Sequence, residues 1–250
     1  MGTDARRSGV FAGLLDMLLN EDYKLGDALP TEAALVERFG CSRNTLREAF
    51  KQLQTLELVS VKRGVGTFVG PLTVAPLFDS VAVGTVLRSR RDPRAFQELL
   101  ETRVALDIGM ADPICAEFGG REDPELDRIV HEMEVAAERD EGFVELDKEF
   151  HRRLQGAVHN GFALDLVMNF WNVFGRLNLD ESIGRTAPLS DIAKAHRALL
   201  NAAYSGDPDT YRAAVRIHYE PSLRQAELFA KRPPLVEPSG RLIDLQPAAL

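Results

Sequence analysis

Hydrophobic residues near the start of the chain recur at the spacing of one face of an α-helix. They run from Val10 to Leu19, and the pattern ends at the turn-rich stretch KLGDALP. Thr31 then precedes a second helical pattern, TEAALVERF, where its hydroxyl can cap the first turn. That pattern stops at Gly40, and Ser42 is placed to cap a third, RNTLREAFKQLQTL. Two short helices around a glycine-containing turn predict a helix-turn-helix.

The next stretch, LVSVKRGVGTFV, alternates apolar and polar residues on both sides of a glycine-rich turn. This pattern predicts a two-stranded hairpin. Three helices followed by a hairpin are the element order of a winged helix-turn-helix, in which the hairpin is the wing. We therefore predict such a domain in residues 1–70.

Helical spacing continues over almost all of the remaining chain, and no strand alternation is found there. We predict a mainly α protein, with an all-helical bundle in residues 77–231 after a proline-containing linker at residues 71–76. The tail, residues 232–250, is rich in proline and predicted to be loosely ordered. Pro113 and Pro221 fall inside predicted helices and should kink or shorten them. The predicted helical segments are 77–90, 94–118, 124–139, 142–159, 162–177, 190–204 and 208–229.

The composition is typical of a globular protein, with 45% hydrophobic and 27% charged residues. No run of apolar residues is long enough for a membrane span, the N-terminus lacks the features of a secretory signal, and the only cysteines are Cys41 and Cys115. We therefore expect a cytoplasmic protein without membrane contact. The net charge of −8 lies entirely beyond the first 70 residues, so any nucleic-acid contact should be made by the front of the chain.

The first turn of the third predicted helix carries side chains that can bond base edges or phosphates. These are Arg43, Asn44, Thr45 and Arg47. The predicted wing adds Lys62 and Arg63 beside Gly64, whose missing side chain lets backbone approach a phosphate or a minor groove. Solvated surface charge is the commoner explanation for a lone basic helix, but the adjoining wing favours double-stranded DNA.

An aspartate and a histidine share an apolar stripe in the helix that contains LDKEFHRRL. Asp147 and His151 lie four residues apart on that stripe, so both are predicted to face the interior of the bundle. A buried carboxylate and imidazole need partners, because burying either unsatisfied is costly. A private hydrogen bond between the two is the simpler explanation for this pair alone.

Two further histidines favour a metal site over a private hydrogen bond between Asp147 and His151. His196 and His218 also lie on apolar stripes, and they flank the SGDP turn at nearly equal distances along their helices. At about 1.5 Å of rise per residue, an antiparallel pair of helices brings the two imidazoles to nearly the same level. With Asp147 and His151 they form a candidate site for Zn²⁺, or for Ni²⁺ or Mn²⁺. His131 and His159 fit no such set.

Arg103 is another polar residue on an apolar stripe. A guanidinium that faces a bundle interior needs a carboxylate or a phosphate as its partner. The partner is either an internal acidic residue or a ligand, and the stripe alone does not decide between them. If Arg103 is a ligand clamp, arginine and metal together would select a small organic anion.

With both ends examined, the chain resembles the GntR family of transcriptional regulators, and within it the FadR subfamily, which has an all-helical FCD effector domain. The resemblance covers about residues 10–230. At the front it rests on LGDALPTEAALVERFGCSRNTLREAFKQL and VKRGVGTFV. At the rear it rests on ELLETRVALD, LDKEFHRRL, AHRALLNAAYSGD and IHYE.

The resemblance implies roles for the residues already singled out. The implied DNA contacts are Arg43, Asn44, Thr45, Arg47, Arg63 and Gly64. The implied metal ligands are Asp147, His151, His196 and His218, and Arg103 would hold the carboxylate of an effector. The resemblance further implies a homodimer that binds a short pseudo-palindromic operator and responds to a metabolite. Acyl-CoA-binding members lack the metal set, so its presence here favours a small acid.

Three positions depart from the pattern of the resembled family. Ala33 replaces a DNA-contacting arginine of several relatives, so one DNA contact should be missing. Glu57 replaces a helix-ending glycine, which predicts a strained left-handed conformation. Pro113 lies in the first helical region of the effector domain, so the pocket wall there should differ.

Two other functions remain open beside a metabolite-responsive regulator. A metal ion with open coordination positions can activate water, so a metal-dependent enzyme is one alternative. No general base or nucleophile is evident beside the predicted metal ligands, however, and an enzyme would not need the winged helix-turn-helix domain. The second alternative is a sensor whose signal is the metal ion itself. We predict a DNA-binding regulator that is not an enzyme.

Overall fold

The computed structural model describes residues 3–89, 91–92, 94–177 and 186–231 of the chain. The contacts divide the chain into two compact units, Met1–Leu77 and Phe78–Leu250. The predicted tail, residues 232–250, lies outside the described residues. In the part of the chain that is described, no helix has both the length and the apolar character needed to cross a bilayer.

The N-terminal unit has three helices followed by an antiparallel hairpin, which confirms the predicted winged helix-turn-helix. Its elements are α1 (Thr3–Asn20), α2 (Glu32–Phe39), α3 (Arg43–Thr55), β1 (Val59–Lys62) and β2 (Gly66–Val69). One apolar core joins them, with Leu14 of α1, Leu46 of α3 and Val59 of β1 all buried. Because the apolar face of α3 is used in this core, its polar face is left exposed to solvent.

Both predicted helix caps are present in the helix-turn-helix. The Thr31 hydroxyl accepts a hydrogen bond from the N–H of Ala34 at 3.3 Å, and the Ser42 hydroxyl accepts one from the N–H of Thr45 at 3.1 Å. Gly40 ends α2 in the left-handed region, with φ of 56°. These caps satisfy N–H groups that have no partner inside the helix, and so fix where α2 and α3 begin.

The segment after α3 holds the strained residue that the sequence predicted. Glu57 has φ of 57°, a left-handed conformation that costs free energy for a residue with a side chain. The Glu57 carboxylate accepts a hydrogen bond from the Thr73 hydroxyl, and its carbonyl accepts one from the N–H of Leu72 at 3.2 Å. Glu57 therefore connects the end of α3 to the segment that leads out of the N-terminal unit.

The C-terminal unit is helical in its described residues, apart from connecting loops. Its helices are α4 (Ala75–Ser89), whose first three residues belong to the N-terminal unit, α5 (Arg94–Gly109), α6 (Ala111–Phe118), α7 (Pro124–Glu138), α8 (Val144–Gly156), α9 (Gly161–Leu177), α10 (Leu189–Ser205) and α11 (Pro208–Ala230). Helix α11 packs against α5, α6 and α10, and α8 packs against α7 and α9. The all-helical fold predicted for this part of the chain is confirmed.

The prolines act differently from one another. The predicted helix 94–118 is divided at Met110 into α5 and α6. Pro113 lies in the first turn of α6, where a backbone N–H would have no acceptor within the helix, so proline is tolerated there. Pro221, in contrast, does not shorten α11, which continues to Ala230. Buried Tyr219 and Ala226 on either side of Pro221 hold the helix in the core, which offsets the lost hydrogen bond.

The predicted linker, residues 71–76, overlaps the first turn of α4. Helix α4 begins at Ala75, whose N–H donates to the Thr73 hydroxyl at 3.3 Å. Pro76 therefore lies in the first helical turn, a position that tolerates proline, and does not prevent the helix. The non-helical part of this connection is shorter than the sequence predicted.

Candidate DNA-binding surface and metal centre

The start of α3 presents most of the predicted DNA-contacting side chains to solvent. Arg43, Asn44 and Arg47 are exposed, whereas Thr45 is half-buried. The Thr45 hydroxyl lies 2.9 Å from that of Ser42, so it takes part in the helix cap. Arg47 forms an ion pair with Glu32 of α2, with 3.1 Å between the guanidinium Nη2 and a carboxylate oxygen.

The wing provides a second exposed surface in the same unit. Arg63 and Gly64 lie in the turn between β1 and β2, and Gly64 has φ of 74°, which only glycine adopts without strain. The Lys62 ammonium lies 4.8 Å from the centre of the Phe68 ring, a cation–π contact that holds this basic side chain on the hairpin. These basic side chains and the open backbone at Gly64 suit contact with phosphates.

The C-terminal unit brings together all four predicted metal ligands, from α8, α10 and α11. The imidazoles of His151, His196 and His218 have ligand atoms within 4.8 Å of one another. An Asp147 carboxylate oxygen lies 2.8 Å from His196 Nε2 and 3.4 Å from His151 Nε2, and 3.2 Å separates the Nε2 atoms of His151 and His218. His131, by comparison, is on the surface, with its side chain 70% exposed.

The hydrogen bonds of His196 test whether this set suits a cation. Its Nδ1 lies 2.8 Å from the carbonyl oxygen of Ile192, which can only accept a hydrogen bond, so Nδ1 carries a proton. In the neutral ring, Nε2 then points a lone pair at the Asp147 carboxylate, which is also an acceptor. Two acceptors at 2.8 Å need a positive group between them, which is either a proton on Nε2 or a metal ion in its place, so these side chains are compatible with a metal site.

The pKa directions in the cluster follow from the same contacts. Burial alone would raise the pKa of Asp147, but the charge of His196 and hydrogen bonds from His151 and His196 hold it well below its ordinary value. Burial opposes the charged form of His196, yet the nearby Asp147 carboxylate raises its pKa. Burial lowers the pKa of His151 and of His218, which favours the neutral imidazole that a metal ion binds.

Arg103 lies beside this cluster, and its partner is an internal acidic residue. Its Nε and Nη2 donate to the two carboxylate oxygens of Asp107 at 3.1 and 3.2 Å, and its Nη1 donates to the carbonyl of Val167 at 2.9 Å. The same carboxylate accepts hydrogen bonds from Gln155 at 2.8 Å and from Tyr219 at 2.5 Å. Of the two partners that the sequence left open for Arg103, the structure contains the internal one. Its predicted contact with an effector stays a prediction.

The residues around this ion pair were not predicted from the sequence. Asp107 lies four residues after Arg103, the spacing of an ion pair on one helix, and this signal was available. Gln155 likewise follows His151 by one turn, and it is buried. Trp171 of α9 carried no comparable signal, although its ring lies 5.9 Å from that of His151.

A winged helix-turn-helix followed by a helical domain is the layout of a DNA-binding transcriptional regulator. The chain matches two family descriptions, "Bacterial regulatory proteins, gntR family" over residues 6–69 and "FCD domain" over residues 98–221. It belongs to the GntR family of transcriptional regulators, with an FCD domain at the rear. This confirms the predicted family and DNA-binding function, and the enzyme alternative is wrong because the family consists of regulators.

Similarity to individual proteins extends over most of the chain. The galactonate operon transcriptional repressor of Escherichia coli (strain K12) is 26% identical over 197 residues, which cover 79% of this chain and 86% of that protein. The HTH-type transcriptional regulator LutR of Bacillus subtilis (strain 168) is 25% identical over 214 residues, or 81% of this chain and 92% of that protein. The solved structure of Streptococcus agalactiae GntR has the same fold, with a TM-score of 0.59 at 23% identity, covering 87% of this chain and 99% of that chain.

Proposed function

We propose that this regulator binds a divalent metal ion and a small organic acid in its FCD domain, and that the acid changes its affinity for DNA. The observation that carries the proposal is the meeting of three imidazoles with the Asp147 carboxylate on three packed helices. The E. coli relative is named for a galactonate operon, and galactonate is an organic acid, which supports an effector of this class.

The residues that would hold the metal are Asp147, His151, His196 and His218. Zn²⁺ is favoured because imidazole and carboxylate ligands suit it, and Ni²⁺ and Mn²⁺ suit the same set less closely. A bound ion would supply a Lewis-acidic centre for an anionic oxygen. Ile192 holds the ring of His196 through Nδ1, so that Nε2 is directed at the site.

The DNA-contacting residues in the proposal are those predicted from the sequence. They are Arg43, Asn44, Thr45, Arg47, Arg63 and Gly64. Arg43 and Arg63 are exposed and carry fixed positive charge, which suits phosphates, while Asn44 and Arg47 can also bond base edges. Thr45 would contact DNA only through the face of its hydroxyl that Ser42 does not use.

Further parts of the proposal rest on family membership. A homodimer would place two winged heads on the half-sites of a pseudo-palindrome. The FCD domain supports assignment to the FadR subfamily, and a DNA-binding regulator belongs in the cytoplasm.

Metal content tests the central part of the proposal. The full chain would be loaded with zinc and then dialysed to remove unbound ions. Plasma mass spectrometry would measure the zinc that stays bound. Wild type should keep about one ion per chain, and His196→Ala should lose most of it, because removing one ligand weakens a four-ligand site by orders of magnitude. His131→Ala removes a surface histidine and should bind as wild type does. Equal metal content in all three proteins would contradict the proposed ligands.

A second measurement decides whether DNA binding responds to the organic acid or to the metal ion alone. The probe is a labelled DNA duplex selected from random sequence by the wild-type chain, and fluorescence anisotropy reports binding. Zinc would be titrated first, and small carboxylates would then be added to the zinc-loaded protein. A change that needs the acid supports the proposal, whereas a full response to zinc alone would make the chain a metal-ion sensor.

A further inference from the structure

Two strained residues are bonded to each other where the chain leaves the N-terminal unit. Glu57, just after α3, has φ of 57°, and Leu72, after the wing, has φ of 54°. They are two of the four non-glycine residues with positive φ in the described part of the chain. The N–H of Leu72 donates to the carbonyl oxygen of Glu57 at 3.2 Å. Strain of this kind persists only where surrounding contacts fix it, and it is concentrated at functional and switch regions.

The sequence allows a close approach of the two segments that contain these residues. A Cβ atom at Gly70 would lie 2.2 Å from the carbonyl oxygen of Glu57, so only glycine lets the chain pass there. The N–H of Gly70 also donates to the carbonyl oxygen of Leu58 at 2.9 Å. Residues 70–72 are therefore held against the end of α3 by the backbone, and they cannot move away without losing hydrogen bonds.

The Thr73 hydroxyl extends this contact to the next helix. It donates to the Glu57 carboxylate, and it accepts a hydrogen bond at 3.3 Å from the N–H of Ala75, the first residue of α4. A charged acceptor makes the bond to Glu57 stronger than a neutral one would. One hydroxyl thus joins the end of α3 to the start of α4. Helix α4 then continues without a break to Ser89, which belongs to the C-terminal unit.

We propose that the hydrogen bond between Glu57 and Thr73 fixes the direction in which α4 leaves the N-terminal unit, and that it thereby sets the half-site spacing that the regulator accepts on DNA. In a homodimer each α4 would carry one DNA-binding unit. An α4 held at a fixed angle to α3 permits only operators whose half-sites match that angle, whereas a loose connection lets each unit reach half-sites at other spacings. This inference rests on the proposed function, since it requires a homodimer on a two-part operator.

The test uses three duplexes derived from the selected sequence, with fluorescence anisotropy on the full chain. The first is the intact operator. The second has about five base pairs, half a helical turn, inserted between the half-sites, and the third has one half-site replaced by unrelated sequence. Wild type should bind the intact operator at least about 10-fold tighter than either of the others, because half a turn moves the second half-site to the opposite face of the duplex.

Thr73→Val removes the hydroxyl from an exposed side chain and keeps its shape. It should bind the intact operator about 10-fold more weakly, with its affinity for the single half-site within about twofold of wild type, because each unit still reads DNA but the two are no longer held in register. The penalty for the inserted base pairs should fall below about threefold. Glu57→Ala should act in the same direction, whereas Thr73→Ser keeps the hydroxyl and should restore the wild-type preference.

The control is Thr55→Val, which removes a hydroxyl that donates to the Lys51 carbonyl within α3 and should bind all three duplexes as wild type does. Urea denaturation checks that each variant is folded, and the unfolding midpoint of Thr73→Val should stay close to that of wild type.

The outcomes separate this inference from the homodimer on which it rests. If wild type bound one half-site as tightly as two, the homodimer on a pseudo-palindrome would be wrong, and the inference with it. If wild type preferred two half-sites but Thr73→Val and Glu57→Ala kept its spacing preference, the inference alone would be overturned. An equal loss on all three duplexes would also overturn it, because the bond would then support α3 itself and not the direction of α4.

Discussion

Each unit of this regulator contains an arginine that pairs with a carboxylate, and the two pairs differ in exposure. In the winged head, the side chains of Arg47 and Glu32 are 58% and 42% exposed. In the helical domain, those of Arg103 and Asp107 are 1% and 3% exposed. The resemblance to the GntR family implied a ligand for both arginines, DNA for Arg47 and an effector for Arg103, although the apolar stripe of Arg103 left an internal acidic partner equally open.

The difference in exposure determines what each arginine can do. Water screens the exposed pair, so Arg47 can exchange Glu32 for a phosphate or a base at little cost. The buried pair has no water to replace either partner, and separating it would leave a charge unpaired in the core. Arg47 is therefore available for binding, whereas Arg103 holds the framework behind the histidine cluster.

Breaking the buried pair should have the largest effect. Arg103→Met fills a similar volume but leaves the Asp107 carboxylate buried without its counter-charge. We expect the free energy of unfolding of the C-terminal unit to fall by about 3–5 kcal/mol, measured by urea denaturation of the metal-free chain. Adding Asp107→Asn removes the unpaired charge and should recover part of the loss. A loss below about 1 kcal/mol in the single variant would show that the pair is not a framework element.

Breaking the exposed pair should affect DNA binding far more than stability. Arg47→Ala removes a side chain placed for base or phosphate contact, and we expect DNA affinity to fall by about 1–3 kcal/mol, with the free energy of unfolding changed by less than about 1 kcal/mol. Anisotropy with the selected duplex, across a salt titration, measures the loss. Arg216→Ala removes an equal charge from an exposed position on α11 and should bind as wild type does. Normal DNA binding by Arg47→Ala would mean that α3 is not the recognition helix.

The parts of this picture that the sequence predicted are those determined by local geometry. Helical spacing and two cap residues were enough to predict α2 and α3, because a cap bonds only to residues a few positions away in the chain. The meeting of His196 with His218 followed from a turn and a constant rise per residue. Even the left-handed conformation of Glu57 was predictable, since the resembled family places a glycine there.

The remaining features depend on packing between distant segments. Asp107 is joined by Gln155 of α8 and Tyr219 of α11, and no spacing within one helix places these residues together. The approach of Trp171 to His151 likewise depends on how α9 packs on α8. The Asp107 partner of Arg103 could have been found, because the two residues are one helical turn apart.

Lowering the pH should reduce the difference in free energy of unfolding between wild type and Arg103→Met. Burial tends to raise the pKa of Asp107, but the Arg103 charge and the bonds from Arg103 and Tyr219 hold it below its ordinary value. A lowered folded-state pKa stabilises the fold above the unfolded-state value of about 3.9, and that stability is lost as pH falls through the folded-state pKa. In Arg103→Met the buried carboxylate should have a raised pKa, so protonation relieves the destabilisation.

The two free energies of unfolding should therefore converge as pH falls from 7 towards 4, by up to about 1.4 kcal/mol per pH unit below the raised pKa. Urea titrations of both proteins in the presence of a chelator would measure this. The double variant with Asp107→Asn lacks the carboxylate and should show no convergence with wild type from this source. A constant difference between wild type and Arg103→Met over this range would mean that Asp107 is not the group left unpaired.

Removing the acidic partner from the exposed pair should have the smallest effect. Glu32→Gln keeps the shape of the side chain but removes a negative charge beside Arg47, so Arg47 no longer has to leave a carboxylate to reach DNA. We expect DNA affinity to rise by less than about threefold and the free energy of unfolding to change by less than about 1 kcal/mol, since exposed pairs contribute little. The selected duplex and urea denaturation measure both quantities, and Glu37→Gln, an exposed acid on the same helix, is the control for charge alone. If Glu32→Gln instead weakened DNA binding while Glu37→Gln did not, Glu32 would be needed to position the Arg47 guanidinium. Glu32 would then hold Arg47 in place, as Asp107 holds Arg103, and would not be a partner that Arg47 exchanges for DNA.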